Sequence, residues 1–301
     1  MVLLFATMYV TGPVNLASSS KASPLEIPSL SYIGHPAVPA TKPSNPSTAF
    51  QVCPLAFTQC LPYFNWAGYV IVSPTGSGVT DVKATWIVPA ITGFSGGYCP
   101  DVAKTYDSNA VWVGIDGFTN AYVEQTGTSS DCYYGSASYY AWYEFYPAPS
   151  VVLMTVHPGD VITAEVSYSA GAFTTTIKDV TTGTSGTSGP VTLTYTPPMA
   201  SAEFIDESPS YMYNSFLGLT PVSPVTFAFA TATIGGVTNS LAGWGSAYPA
   251  DVYWLVSVDL DWPGTNGFGV QGILPSSAYV KADTGAYAGG TFRVTWSSAG
   301  P

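Results

Sequence analysis

The chain has 301 residues, 47% of them hydrophobic and only 8% charged, with 7 Lys+Arg against 18 Asp+Glu and a pI near 4.2. Chains of this length occur as single all-β domains with a large core, and the acidic balance excludes a nucleic-acid binder, which needs Lys and Arg for the phosphates. A surface built from Ser, Thr, Asn, Gly and Tyr changes its charge little with pH, so it avoids the self-repulsion that drives acid unfolding and suits an acidic exterior.

Along the chain, the first feature is the apolar run VLLFATMYV (Val2 to Val10), followed by the small and polar NLASSSK. It is too short to cross a bilayer and has the character of a secretory h-region, although no Lys or Arg precedes it; residues 1–17 are expected to be a signal sequence. Residues 18–60 are rich in Pro and Ser and form a linker or propeptide rather than a packed unit. From Asn65 the pattern becomes short β-rich runs separated by Gly, Pro, Asn and Ser: WAGYVIV, VTDVKATWIVP, AVWVGI, YYAWYEFY, DVITAEVSY, VTFAFATATI and DVYWLVSVDL. No window carries a helical period and no fixed-length repeat is present. The prediction for 61–301 is an all-β domain, an antiparallel β-sandwich or jelly roll of two large sheets. Thr181 to Pro190 (TTGTSGTSGP) reads as a flexible loop. No later segment reaches about 18 unbroken apolar residues, so no membrane span is expected.

Strand alternation assigns faces. In YYAWYEFYP, Tyr140, Trp142, Glu144 and Tyr146 point one way, and Ala141, Tyr143 and Phe145 the other. In AEFIDE, Glu203, Ile205 and Glu207 share a face opposite Phe204 and Asp206. A row of aromatics that includes a carboxylate has the makings of a cleft floor. Four cysteines in an exported chain favour disulfides, with Cys53–Cys60 and Cys99–Cys132 the expected pairs. No metal or other cofactor is expected, since there is no Cys-x-x-Cys and the only histidines are His35 and His157.

Several chemistries can be weighed. GFSGG (Gly93 to Gly97) has the spacing of a nucleophile elbow but lacks the α/β context and a histidine base, because His157 sits in the turn VHPGD. Asp283-Thr284-Gly285 is the tripeptide of aspartic peptidases, but its required second copy is absent, so a turn is the expected reading. Glu144 and Glu207 are a candidate glycosidase pair, and a non-catalytic lectin-like surface protein is a further alternative.

The remaining option pairs a carboxylate with an amide. NWAGYV (from Asn65), KATWIVP (from Lys83), WVGIDG (from Trp112), QTG (from Gln125), AWYEFYP (from Ala141), PGDVI (from Pro158) and AEFIDE (from Ala202) follow in that order. Together they resemble the glutamic peptidases, or eqolisins, over Asn65 to about Glu207. The resemblance implies a concanavalin-like sandwich with a cleft on one concave face. It implies a Gln/Glu dyad, read onto Gln125 and onto the second glutamate of AEFIDE, Glu207. It further implies lining or supporting roles for Trp112, Asp116, Trp142, Glu144 and Tyr146. Two departures stand out: Thr128, Ser129 and Ser130 intervene before Asp131, where the family often has Asp directly after QTG, and Tyr140 replaces an Asp before AWYE.

The chemistry is coherent in acid. An ordinary Glu titrates near 4.3, whereas a histidine base would be protonated there. A glutamine amide donor cannot be titrated away from a developing oxyanion. The expected activity is a secreted acid endopeptidase, monomeric, acting on proteins or peptides. Glu124, one residue before Gln125, is expected on the opposite face.

Overall fold

The computed structural model describes residues 60–257 apart from 64, 93–98, 100–105, 134, 208, 213–214, 217 and 221, together with 273–274, 290–294 and 298–299. The described residues all lie in one compact unit, Ser31–Pro301. The expected signal sequence, nearly all of the Pro/Ser-rich segment, GFSGG and Asp283-Thr284-Gly285 lie outside them.

The first large sheet runs β1 (Cys60–Tyr63), β17 (Val252–Ser257), β2 (Trp66–Val72), β11 (Ser201–Glu207), β4 (Tyr106–Ile115), β5 (Val123–Tyr133), β6 (Ser136–Tyr146), β7 (Val151–Thr155). It is antiparallel except that β1 runs parallel to β17, and the short β14 (Gly218–Leu219) joins β4 in parallel. The second sheet runs β10 (Ser185–Thr187), β9 (Ala172–Asp179), β8 (Val161–Ser169), β3 (Val79–Ile87), β15 (Val225–Ile234), β16 (Val237–Ser240), with β19 (Phe292–Val294) also paired to β15. Two small ribbons, β12 (Ser210–Met212) with β13 (Ser215–Phe216) and β18 (Ile273–Leu274) with β20 (Ser298–Ala299), complete the strands.

The strands form where the sequence alternates large apolar and small or polar residues, because only a period of two gives one face to a neighbouring sheet. In β3, Val82, Ala84 and Trp86 are buried while Lys83 and Ile87 are exposed. The inner faces of both sheets meet in one core: Val111, Val113, Phe204 and Phe145 come from the first sheet, and Trp86, Ile162, Val166 and Phe227 from the second. Trp86 packs on Phe227 at 5.7 Å between ring centroids and donates its indole N–H to Thr128 Oγ1 across the sheets at 3.0 Å. Deleting a core ring such as Phe204 would cost about 3–5 kcal/mol. On the outer face of the second sheet, hydroxyls pair across strands, Thr85 with Thr163 at 3.0 Å and Thr233 with Thr238 at 2.8 Å.

Two local expectations change. The Thr181–Pro190 stretch is ordered in part, since Ser185–Thr187 forms β10 against β9, and Asp179 accepts hydrogen bonds from Thr181 and Thr182 to shape the turn. A seven-residue helix, α1 (Leu241–Ala247), follows β16; Ser240 caps it by accepting the Gly243 N–H at 3.0 Å. Two turns are too short to show a period, so the cap is the only local signal. The expected disulfide Cys99–Cys132 is present, with Cα atoms 5.3 Å apart; Cys53 lies outside the described residues. Among the described residues, no helix is long and apolar enough to cross a membrane.

Candidate active site

The face of the first sheet that turns away from the core is not an ordinary solvated face. Trp66, Trp112, Trp142, Tyr140 and Ile205 pack on it as a second apolar cluster. Among them Gln125, Glu144, Glu203 and Glu207 are all buried. Burying carboxyls is costly unless each is paired or held neutral, so their positions mark the place where the fold sacrifices stability.

Register decides which of them meet. Glu203 pairs with Gly114, Gly114 with Gln125, and Gln125 with Glu144, so these four residues form one row across β11, β4, β5 and β6. Gln125 and Glu203 are thus two strands apart, about 10 Å between backbones, with only a glycine between them. A Cβ on Gly114 would lie 2.8 Å from Trp112 Cζ3 and 3.3 Å from Gln125 Cβ. The missing side chain lets the Trp112 ring lie against the sheet beside Gln125. Gln125 is fixed from its other side, donating from Nε2 to Glu144 Oε2 at 2.6 Å. Both oxygens of Glu203 and the Oε1 of Gln125 are buried without a hydrogen-bond partner among the described residues. The Ser201 hydroxyl near Glu203 lowers its pKa slightly without reaching hydrogen-bond geometry; burial dominates, and with the nearby Asp116 and Glu124 it holds Glu203 well above the usual carboxylate range.

Glu207 lies on the same face but in another row, paired with Ala110, which faces Ser129 and then Tyr140. Four residues separate it from Glu203, about 13 Å along the strand in addition to the two strands that separate it from Gln125. The first glutamate of AEFIDE stands in the glutamine's row; the second, Glu207, is linked to it through Trp112, whose indole donates to Glu207 Oε2 at 2.8 Å and whose Cζ3 edge lies over Gly114 beside Gln125. Both glutamates share the face that alternation assigns. Unlike Glu203, Glu207 is engaged on both oxygens: Asn65 Nδ2 donates to Oε1 at 3.1 Å and Trp112 Nε1 to Oε2 at 2.8 Å. Burial still raises its pKa to about 8, against the lowering effect of Trp112, Asn65 and the neighbouring Trp66 indole, whose N–H falls short of hydrogen-bond geometry.

The other expected residues divide into lining and support. Trp142 and Tyr146 belong to the apolar cluster of this face, and Trp142 donates to Ser129 Oγ at 2.9 Å. Asp116 closes the end of β4 with φ of 71° and accepts from Asn120 Nδ2, Met199 N and Ala200 N, so it ties the approach to β11 onto the end of β4. Glu124 pairs with Ile115 and Phe145, both core residues, and so lies on the opposite face from Gln125, where its Oε1 accepts the Tyr195 hydroxyl at 2.6 Å. The two departures from the family pattern meet each other: Tyr140 donates its hydroxyl to Asp131 Oδ2 at 2.7 Å, while Ser108 holds Oδ1 at 2.6 Å. Asn65 was not singled out as a site residue; it precedes β2, where alternation assigns no face.

Comparison with known proteins identifies the family. The family model described as Peptidase A4 family matches residues 64–252. The chain belongs to the Peptidase A4 family. Among its relatives, Aspergillopepsin-2 of Aspergillus niger is 34% identical over 196 residues, 58% of this chain and 66% of that protein. Scytalidopepsin B of Scytalidium lignicola is 33% identical over 123 residues, 40% of this chain and 41% of that protein. Both matches thus span less than two thirds of the relatives' own lengths. Among solved structures, the Scytalido-glutamic peptidase bound to a peptide-based transition state analog aligns over 78% of this chain and 98% of that chain, with a TM-score of 0.54 at 23% identity. SCP-B, an eqolisin complexed with the tripeptide Ala-Ile-His, aligns over the same shares with a TM-score of 0.52 at 21% identity. These two show that this Peptidase A4 chain has the β-sandwich fold of the glutamic peptidases.

Proposed function

We propose that this chain is an acid endopeptidase in which Glu207 and Gln125 form the working pair and Glu144 supports the glutamine. The observation that carries this reading is the polar set on the outward face of the first sheet: Gln125 donates to Glu144, and Glu207 is held by Asn65 and by Trp112, the ring that also lies over the glycine beside Gln125. The family supports the reaction class, and the peptide ligands named for the two solved relatives support a peptide in the same groove.

The chemistry follows from the atoms. Ionised Glu207 takes a proton from a water, whose oxygen attacks the scissile carbonyl carbon. The carbonyl oxygen gains the negative charge, and the second N–H of Gln125 Nε2 donates to it; the first is held by Glu144. Glu207 then returns its proton to the amide nitrogen, the C–N bond breaks, and the products are a carboxylic acid and an amine. Burial pushes Glu207 up to about 8. The Asn65 and Trp112 donors, joined by a bound water and peptide, favour the ionised form and lower its pKa toward the acid range.

Digestion of casein at acid pH tests the assignment. Glu207→Gln is expected to abolish turnover, and Gln125→Ala to reduce kcat by about 100- to 1,000-fold, the usual loss for one oxyanion donor. Full activity in Glu207→Gln would end the proposal. Export to an acidic exterior belongs to the same reading, supported by the apolar N-terminal run, the Cys99–Cys132 disulfide and the low charge. N-terminal sequencing of the protein recovered from acid medium checks removal of residues 1–17 and of the segment 18–60.

A further inference from the structure

We propose that Trp66 is a further catalytic residue: its indole N–H holds the oxygen of the attacking water beside Glu207. The inference deepens the peptidase reading and depends on it for the turnover measurements below.

Trp66 opens β2 and is the direct cross-strand partner of Glu207, so the two side chains rise from the outward face about 5 Å apart. Its ring is fully buried and held by close contacts. Trp112 meets it edge-on, with centroids 4.9 Å apart and planes at 78°. At the ring's far edge Gly117 leaves the room it needs: the glycine has φ of 107°, and a Cβ there would lie 2.9 Å from Trp66 Cη2. These contacts orient the ring without using its polar edge. The two indoles then differ in how their single donors are used. Trp112 Nε1 donates to Glu207 Oε2 at 2.8 Å. Trp66 Nε1 is buried and has no hydrogen-bond partner among the described residues, yet it lies close enough to the Glu207 carboxylate to favour the ionised form. A buried donor left without an acceptor is costly. An oxygen that arrives with the reaction would account for it.

The lone pairs say which oxygen. A carboxylate offers about four acceptor sites, and Asn65 on Oε1 and Trp112 on Oε2 use one each. Each oxygen therefore keeps a site for a further proton donor. A group that donates to a carboxylate and also accepts an indole N–H is a water or a hydroxyl. Water bound in this way points one proton at Glu207 and takes the Trp66 N–H on one lone pair, and its second lone pair faces the scissile carbonyl carbon. As the new C–O bond forms, the O–H bond breaks and that proton goes to Glu207. The carbonyl π pair moves onto the carbonyl oxygen, where Gln125 donates. Trp66 keeps its own proton throughout and stays on the new hydroxyl until the C–N bond breaks.

Trp66→Phe is expected to lower kcat for casein digestion at acid pH by about 10-fold, the loss of one neutral hydrogen bond, with KM within about twofold. Replacing Trp66 by β-(3-benzothienyl)alanine keeps the bicyclic shape and removes only the N–H, so it should lose the same factor. A peptide carrying a gem-diol at the scissile carbon should bind both variants about 10-fold more weakly than it binds wild type. The analogue with a methylene at that carbon should bind all three alike. Nuclear magnetic resonance supplies a readout independent of turnover. The Trp66 indole proton, identified by its absence in Trp66→Phe, should show cross-relaxation with a long-lived water in the free wild-type protein.

Wild-type kcat in the benzothienylalanine variant overturns the proposal, because shape alone then suffices. Unchanged gem-diol affinity in that variant overturns it equally, as does an indole proton with no water cross-peak. Should the wild type cleave no protein at any acid pH, the peptidase reading fails, and the cross-peak still decides whether Trp66 holds a water beside Glu207.

Discussion

Gly114 is the residue on which the site's geometry turns, although it carries no functional group. Its backbone is ordinary strand, so alanine meets no conformational penalty there and the effect is purely one of space. The added methyl would press on Trp112 at 2.8 Å and Gln125 at 3.3 Å. Gly114→Ala is expected to cost about 1–3 kcal/mol through overpacking, yet to reduce turnover by about 100-fold because it displaces the Trp112 ring and the Gln125 amide. Urea denaturation beside steady-state kinetics separates the two, and undiminished kcat would show that their placement is not needed. At this scale the sequence was partly legible. The face of Gln125 and the shared face of Glu203 and Glu207 follow from alternation, as does the opposite face of Glu124. The rows in which the two glutamates stand relative to the glutamine do not follow, because they depend on a backbone pairing between segments some 80 residues apart in sequence.

At the scale of elements, the end of β4 shows how a loop is made to serve the site. Asp116 takes a left-handed backbone conformation and spends its carboxylate on two consecutive backbone N–H groups, at 2.7 Å each, and on Asn120. This anchors the segment that leads into β11 and thereby the level at which Glu203 enters the sheet. Burial raises its pKa, while these donors pull it down. Asp116→Ala strands two donors and should destabilise by about 1–3 kcal/mol. Asp116→Asn, which tolerates the same φ and keeps one acceptor, should cost clearly less; equal denaturant midpoints for the two variants would contradict this account. The strands themselves were readable from their period, as WAGYVIV and VTFAFATATI coincide with β2 and β15. The helix Leu241–Ala247 and the strand Ser185–Thr187 were not, because elements this short are specified by a cap and by a neighbour rather than by pattern.

For the whole molecule, the buried carboxyls set the direction of its pH response. Glu124 and Glu207 are raised to about 8 and Asp206 to about 7, chiefly by burial. An unfolded chain releases these protons near pH 4. Between about pH 4 and 8 the folded state therefore holds more protons than the unfolded one, and stability falls as pH rises; below pH 4 the contribution is fully present. Denaturant midpoints are expected to decline from pH 4 to pH 8, the reverse of proteins held by salt-bridged carboxylates, and Glu124→Gln should flatten the decline. A midpoint that rises over this range would refute the assignment. This trend agrees with the low charge visible in the sequence, but the buried carboxyls behind it become apparent only once both faces of β5 and β11 are seen to be covered.

The strand carrying Glu207 lies between β2 and β4, although it is made after both of them. While a ribosome is extending the chain, the first two hundred residues have no shared neighbour for β2 and β4, and the groove floor is split. Insertion of residues 201–207 joins the halves and delivers the carboxyl in one event. If the chain is the peptidase proposed above, a nascent polypeptide is consequently unable to cut its surroundings, or itself, until synthesis has passed this point.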